Sequence, residues 1–351
     1  MIALGLVGVA WPCAGIVHEQ GLSAESPGAE VLFEPGGGSV TATFAVTLRG
    51  EVSDLGWVIP VPAVPTAVAD GDLDRIGRLR EASAPRVLER TEDHGGGGCL
   101  VQSYGLANDR AGAPPDDLQV LSEGFTGTYA YQVIAASSAA ELGAWFDDNG
   151  WEGLAAADLD LYVAAGFAFV AVRVVPEAPD TLPPLSVTWP GDTMVYPAVM
   201  ARHALSDQRT TLYVSADTRA VLSGWTSAEV ARIEGASDAD PTALWDARLA
   251  EVGQDRAYVA TYAGDVEDRF LTRYDTLAPA ALHDVDVVLT LADDTWGHTT
   301  EIALDPPEGR AAFLLAPLAL LGAALRRGRA ARTPSAPPTS AGAPTAPRRS
   351  R

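Results

Sequence analysis

No lysine occurs among the 351 residues, and all 24 basic positions are arginine. Mechanisms that need a free amine are thereby excluded: Schiff-base chemistry, a pyridoxal anchor and the lysine of a phosphate-binding loop. The spaced glycines of a dinucleotide fingerprint are missing too, because Gly36-Gly37-Gly38 and Gly95-Gly96-Gly97-Gly98 are contiguous runs that read as flexible turns. Nor is there a Gly-x-Ser-x-Gly nucleophile elbow. Positive charge is scarce: the net charge is −22, and residues 1–325 hold 17 Arg against all 46 acidic residues, a balance of −29. Such a body repels phosphates and carries no basic patch interleaved with aromatics, so nucleic acid is excluded as a partner.

The two ends of the chain carry topology signals. Residues 326–351 contain seven Arg and no acid among Pro, Ala, Ser and Thr. That composition buries too little apolar surface to offset chain entropy, so a disordered basic tail is expected. Just before it, Ala311 to Leu325 runs fifteen residues without a charge and is stopped by Arg326, Arg327, Arg329 and Arg332. Leu and Ala occupy every face of this run, which reads as a transmembrane helix over 309–325; a buried helix is the alternative. The run is shorter than the roughly 20 residues that cross a bilayer, so the reading relies on snorkelling arginines. The arginine side then faces the cytoplasm and the acidic body lies outside. At the other end, MIALGLVGVA resembles a signal-peptide core with Gly8-Val9-Ala10 as the cleavage site. Its basic start is missing, so either the initiator lies upstream of Met1 or the segment is a strand. The expected organisation is a signal over 1–10, an exported domain over 11–300 (one body, or two lobes dividing near 216), an anchor over 309–325 and the tail over 326–351.

Cys13 and Cys99 are the only cysteines. In an exported chain an even pair is most simply a disulfide. Closing this 87-residue loop would stabilise the fold by about 4–5 kcal/mol in the chain-entropy model. A zinc site is the second reading, since His18 lies five residues after Cys13 and His94 five before Cys99. Lipidation of Cys13 is disfavoured, because Ala10-Trp11-Pro12 lacks the small residue expected before a lipoprotein cysteine.

Between the ends, strand signals dominate. Val40, Ala42, Phe44, Val46 and Leu48 alternate along Ser39–Leu48, and the glycine turn separates them from Val31-Leu32-Phe33, which predicts a β-hairpin. Further strands are expected at Trp57–Val61, Tyr129–Ala135, Phe167–Val175, Leu185–Trp189, Leu212–Ser215, Arg256–Tyr262 and Val285–Ala292. Pro60, Pro62 and Pro65 each remove a backbone donor, so the Trp57 strand must lie at an edge or leave its sheet. A helix is expected where Ser138 and Glu141 form a capping box before Leu142, Trp145 and Phe146, ending at Asn149-Gly150. Others are expected at Leu159–Ala165, Leu73–Arg80, Ser227–Ile233 and Thr242–Val252. The fold class is α+β: strand-rich antiparallel or mixed sheets with a few inserted short helices, plus one C-terminal apolar helix. A mainly β sandwich is the alternative.

The order of segments resembles a bacterial family, the domain-of-unknown-function family 2330. The resemblance runs through Cys13 after a signal, Gly56-Trp57-Val58-Ile59-Pro60-Val61-Pro62, Ala84-Pro85-Arg86 before the Gly-rich cysteine segment, and Ala144-Trp145-Phe146-Asp147-Asp148-Asn149-Gly150-Trp151. It continues through Tyr162–Val172, Val187-Thr188-Trp189-Pro190-Gly191, Tyr196-Pro197, Arg269–Tyr274 and Leu277-Ala278-Pro279. It implies an exported or membrane-anchored bacterial protein and carries over no catalytic residue. The cysteine content is lower than in many members.

Candidate chemistry is sparse. Asp70, Asp72, Asp74 and Glu81 have the carboxylate spacing of a calcium loop, but Arg75 stands where its sharp turn needs glycine, and a helix start rich in Asp explains them equally. Asp238 and Asp240 before Pro241 read as a solvated turn. His283 with Asp284 or Asp286 could supply a base and its orienting carboxylate, whereas His203, His283 and His298 each read more simply as surface or packed histidines. Asp147 and Asp148 point about 100° apart on a helix and read as its end. These readings give an envelope protein that acts by protein or surface contacts, with membrane contact through 311–325 and no cofactor. The alternatives are an exported hydrolase with a site assembled from residues distant in sequence, with or without a metal, which clustering of three or more of Cys13, His18, Asp93, His94 and Cys99 around a cavity would favour, or a calcium-stabilised module.

Overall fold

The computed structural model describes residues 15–17, 24–50, 56–89, 118–151, 154–175, 182–204 and 206–305. In chain order the elements are β1 (Gly15–Val17), β2 (Ala24–Gly36), β3 (Ser39–Gly50), β4 (Gly56–Val61), β5 (Ala67–Asp70), α1 (Leu73–Ala82), β6 (Arg86–Glu89), β7 (Gln119–Phe125), β8 (Tyr129–Ala135), α2 (Ala139–Asp148), α3 (Ala156–Ala164), β9 (Ala168–Val174), β10 (Leu185–Pro190) and β11 (Met194–Tyr196). They continue with β12 (Gln208–Ala216), β13 (Ala220–Ser223), β14 (Thr226–Glu229), β15 (Arg232–Gly235), α4 (Pro241–Gln254), β16 (Ala257–Val266), β17 (Arg269–Ala278), β18 (Val287–Leu291), β19 (His298–Thr299) and β20 (Glu301–Leu304). A nine-stranded mixed sheet runs β14-β16-β17-β12-β2-β3-β10-β5, with β19 beside β16. A five-stranded antiparallel sheet runs β1-β4-β9-β8-β7. Two further sheets have three strands each, β11-β18-β13 and β15-β20-β6.

The two-residue period of the strands sets the layers. Val31, Phe33, Val40, Ala42 and Phe44 share a core with Trp57, Ile59, Val61, Val133, Val170 and Val172 of the five-stranded sheet. Phe44 meets Trp57 edge to face at 6.1 Å. The outer faces carry the helices. Leu32, Tyr213 and Leu271 pack with Ile76 and Leu79 of α1, while Val259 and Leu277 pack with Trp245 and Leu249 of α4. Leu271 and Leu277 lie six residues apart on β17 and so share a face, which puts α1 and α4 on the same side of the large sheet. On the far side, Leu142, Phe146, Leu159 and Tyr162 of α2 and α3 cover Val58, Ile134, Phe169 and Ala171. The stack is helices, sheet, sheet, helices, an α+β architecture dominated by strands.

One expectation is overturned. Ser227–Ile233 is not a helix: it holds strands β14 and β15, which pair in parallel with β16 and β20. Ala228 and Val230 face the α4 cluster two residues apart, and pairing with neighbouring strands overrides the weak local signal. The Trp57 strand is a partial case. β4 lies between β9 and β1, but β1 pairs only Gly56–Val58, and Pro60 falls past it opposite Phe169; Pro62 and Pro65 follow the strand's end. Ala216 ends β12 in the middle of the large sheet, with β2 on one side and β17 on the other. The proposed signal over 1–10, the apolar segment 309–325 and the tail 326–351 lie outside the described residues. Among the described residues no helix is long and apolar enough to cross a membrane.

Candidate functional site

The end of α2 is built entirely from the segment Ala144–Trp151. Ser138 caps the helix start, its hydroxyl accepting from the Glu141 N–H at 3.2 Å. At the other end the Gly150 N–H donates to the Asp147 carbonyl at 3.0 Å and the Trp151 N–H to the Phe146 carbonyl at 2.9 Å. Gly150 takes a φ of +75°, the left-handed backbone that lets the chain turn back on the helix. Trp151 then packs against the helix it has just left, its ring 6.0 Å from Phe146 and 5.7 Å from Trp145.

This stop forms one wall of an open groove of ≈ 720 Å³, within the roughly 300–1,000 Å³ of small-ligand sites. Trp145, Asp148, Asn149 and Trp151 come from the helix end; Ala130, Gln132, Ala171 and Arg173 form the floor on β8 and β9; Glu123, Gly124 and Tyr131 make the rim. Arg173 ties wall to floor, donating from Nη2 to the Asn149 carbonyl at 2.9 Å while its guanidinium lies 5.3 Å over the Trp151 ring. Gln132 donates to Glu123 across the β7–β8 pair at 3.2 Å. The groove therefore sets the half-buried Trp145 indole beside planar carboxylate, amide and guanidinium groups, and its charges are two negative against one positive.

A smaller cavity of ≈ 140 Å³ lies over the large sheet, lined in part by Arg80, Arg209 and Arg273. Each of these cations has a carboxylate partner: Glu30, Asp246 and Asp275 respectively. Arg273 and Asp275 are buried, their forked contact closed by Thr211 and Thr261 on the carboxylate and by the Arg80 carbonyl on the guanidinium. This set is matched internally and reads as structural.

The sequence candidates that fall among the described residues sit apart from one another. Asp70 accepts from Thr126 and Thr128, and Asp72 caps α1 by accepting from the Arg75 N–H at 3.0 Å. Asp74 sits in the first turn of that helix and Glu81 near its end, about 10 Å further along the axis. Among the described residues no group of three or more His, Cys, Asp or Glu could hold a metal ion. Cys13, His18, Asp93, His94 and Cys99 lie outside the described residues. His283 is buried against Trp225, with Nδ1 3.2 Å from the carbonyls of Pro279 and Ala280, so that nitrogen carries the hydrogen. Burial lowers its pKa and keeps the ring neutral. Asp284 pairs with Arg256 instead, at 2.8 Å. Asp286 accepts from the Tyr162 hydroxyl at 2.8 Å and the Val199 N–H at 3.0 Å. His203 lies 3.0 Å from Asp158, which also pairs with Arg202, and His298 stacks on Trp296. Asp240 caps α4. Asp147 and Asp148 end α2 as expected, and Asp148 also lines the groove.

A family model described as an uncharacterized protein conserved in bacteria (DUF2330) matches residues 8–283. The chain belongs to this family. The matched span takes in every residue of the groove, including the whole Ala144–Trp151 segment. No curated protein matches the chain. Among solved structures it is similar to the crystal structure of baculovirus P35, over 79% of this chain and 97% of that one, at 8% identity and a TM-score of 0.29. A likeness that slight carries no argument about fold or function.

The groove was missed by sequence reasoning, although part of its signal was present. Trp145 and Trp151 flank Phe-Asp-Asp-Asn-Gly, a local pattern that marks a helix end without marking the two indoles as a surface. Glu123, Gln132 and Arg173 join them through β7–β8–β9 pairing, which no local pattern announces.

Proposed function

We propose that this family member is a cell-envelope protein, anchored by residues 309–325 with its acidic body outside, which acts by binding through the β8–β9–α2 groove rather than by bond-making chemistry. The observation that carries the binding reading is the groove itself: a rigid helix stop sets two tryptophans beside polar groups of mixed charge on an open floor. The topology rests on the apolar run stopped by arginines, the signal-like start and the bacterial family. A Cys13–Cys99 disulfide suits that compartment.

Two measurements test the reading. Membranes from cells making the full chain are washed with salt, then with detergent, and the released protein is weighed with and without reduction. Detergent-dependent release, a start near Trp11 and a Cys13–Cys99 cross-link are expected; a soluble chain with Met1 intact and free thiols overturns the anchoring. For the groove, the detergent-solubilised full chain is pelleted with insoluble cell-wall material from the same bacterium. Trp145→Ala should lower retention at least tenfold with an unchanged circular dichroism spectrum, and equal retention removes the groove from the account.

A further inference from the structure

We infer that the groove's ligand is a neutral, polyhydroxylated chain, a short oligosaccharide. The inference rests on the groove being the binding surface and names what fills it. Its charges are Glu123 and Asp148 against Arg173. A strong anion would meet two carboxylates, and a strong cation would meet a guanidinium. A sugar hydroxyl avoids both conflicts because it donates and accepts at once, and so suits carboxylates, amides and a guanidinium together. Glu123 spends one oxygen on Gln132, and Arg173 spends one nitrogen on the Asn149 carbonyl. Among the described residues the other carboxylate oxygen of Glu123 and the remaining Arg173 nitrogens have no protein partner.

The aromatic geometry separates a sugar from a quaternary ammonium ion. A cage for the ammonium needs several ring faces turned on one point, but the Trp151 face is already covered by Arg173. Trp145 lies nearly perpendicular to both Phe146 and Trp151, at interplanar angles of 72° and 78°, and is half-buried on the groove wall where Trp151 is buried, so it is the indole that a ligand can reach. One partly exposed indole beside planar polar groups matches the C–H face and the equatorial hydroxyls of a pyranose. The volume accommodates more than one ring, which makes an oligomer the fitting ligand.

The test titrates cellohexaose, maltohexaose and chitohexaose separately into the full chain, held in a detergent without a sugar headgroup, and follows heat and tryptophan emission. At least one hexasaccharide should bind with a dissociation constant below about 1 mM. Trp145→Ala should weaken that binding at least tenfold, while Trp296→Ala, which changes an exposed tryptophan outside the groove, leaves it unchanged. Gln132→Ala on the groove floor serves as a second probe should Trp145→Ala fold poorly, and it too should weaken binding. No response to any of the three sugars, or equal binding by wild type and both groove variants, overturns the inference. If the wild-type chain binds none of the sugars while its Trp145-dependent retention on cell-wall material persists, only the sugar assignment falls and the groove reading stands, whereas absence of both in the wild-type chain would remove the groove reading as well.

Discussion

At the scale of single residues, the clearest consequence of burial is at Asp286. The residue is partly exposed, yet its carboxylate is tucked against Tyr162 and Val199. Burial pushes its pKa up to about 6, and the two donors keep it from rising further. A raised acid means that the folded chain holds its proton more tightly than the unfolded chain does. Its contribution is therefore fully present below the ordinary carboxylate pKa and is lost as pH rises through about 6. The loss is at most about 3 kcal/mol, and less to the extent that water reaches the group. Asp286→Asn keeps the neutral form at every pH, so on going from pH 4.5 to 7 the urea midpoint of wild type should fall relative to that of the variant. An identical difference would show that Asp286 does not titrate in this window. Asp294 acts in the opposite sense and elsewhere: the Arg219 hydrogen bond lowers its pKa to about 2, so its stabilisation is lost only in stronger acid.

At the scale of elements, two hairpins use the same turn with different residues. Gly37 and Gly38 close β2–β3 at φ of +63° and +76°, where glycine is at ease. Glu267 and Asp268 close β16–β17 at +51° and +62°, where a side chain is strained. Glu267 has a second task, accepting from Arg75 and Arg78 of α1 at 3.3 and 2.9 Å, so Asp268 is the cleaner probe. Asp268→Gly should raise stability by about 0.5 kcal/mol, the relief of the left-handed backbone outweighing glycine's extra chain entropy. A lower urea midpoint would show that the aspartate holds the turn. These hairpins also mark what was legible in the sequence. β2–β3 and α2 announce themselves through local signals, a glycine turn between alternating residues and a serine cap with an Asn-Gly stop. β17 does not, because Arg273 and Asp275 interrupt its apolar face and make sense only once Ser83, Thr211 and Thr261 are brought to them from distant segments. The groove divides the same way: its wall is one contiguous segment, while its floor and rim are products of strand register.

At the scale of the whole molecule, the charge imbalance has a thermodynamic consequence. Residues 1–325 set 46 acidic groups against 17 arginines. Some arginines are held close to a carboxylate, as Arg219 is to Asp294 at 2.8 Å and Arg75 to Glu34 at 2.7 Å, but the surplus acids repel one another across the surface. Salt acts unequally on these two contributions. Raising sodium chloride from about 20 to 200 mM shortens the screening length from roughly 20 to 7 Å, which quenches the long-range repulsion and leaves contacts inside 4 Å less affected. The melting temperature of the full chain should therefore rise with sodium chloride, by about 2–4 °C for each kcal/mol of repulsion removed. A melting temperature that falls over the same range would show that the close pairs carry more of the electrostatic stability than the surplus charge removes. Chloride is the salt to use, because sulfate strengthens apolar burial by itself and would raise the melting temperature whichever contribution dominated.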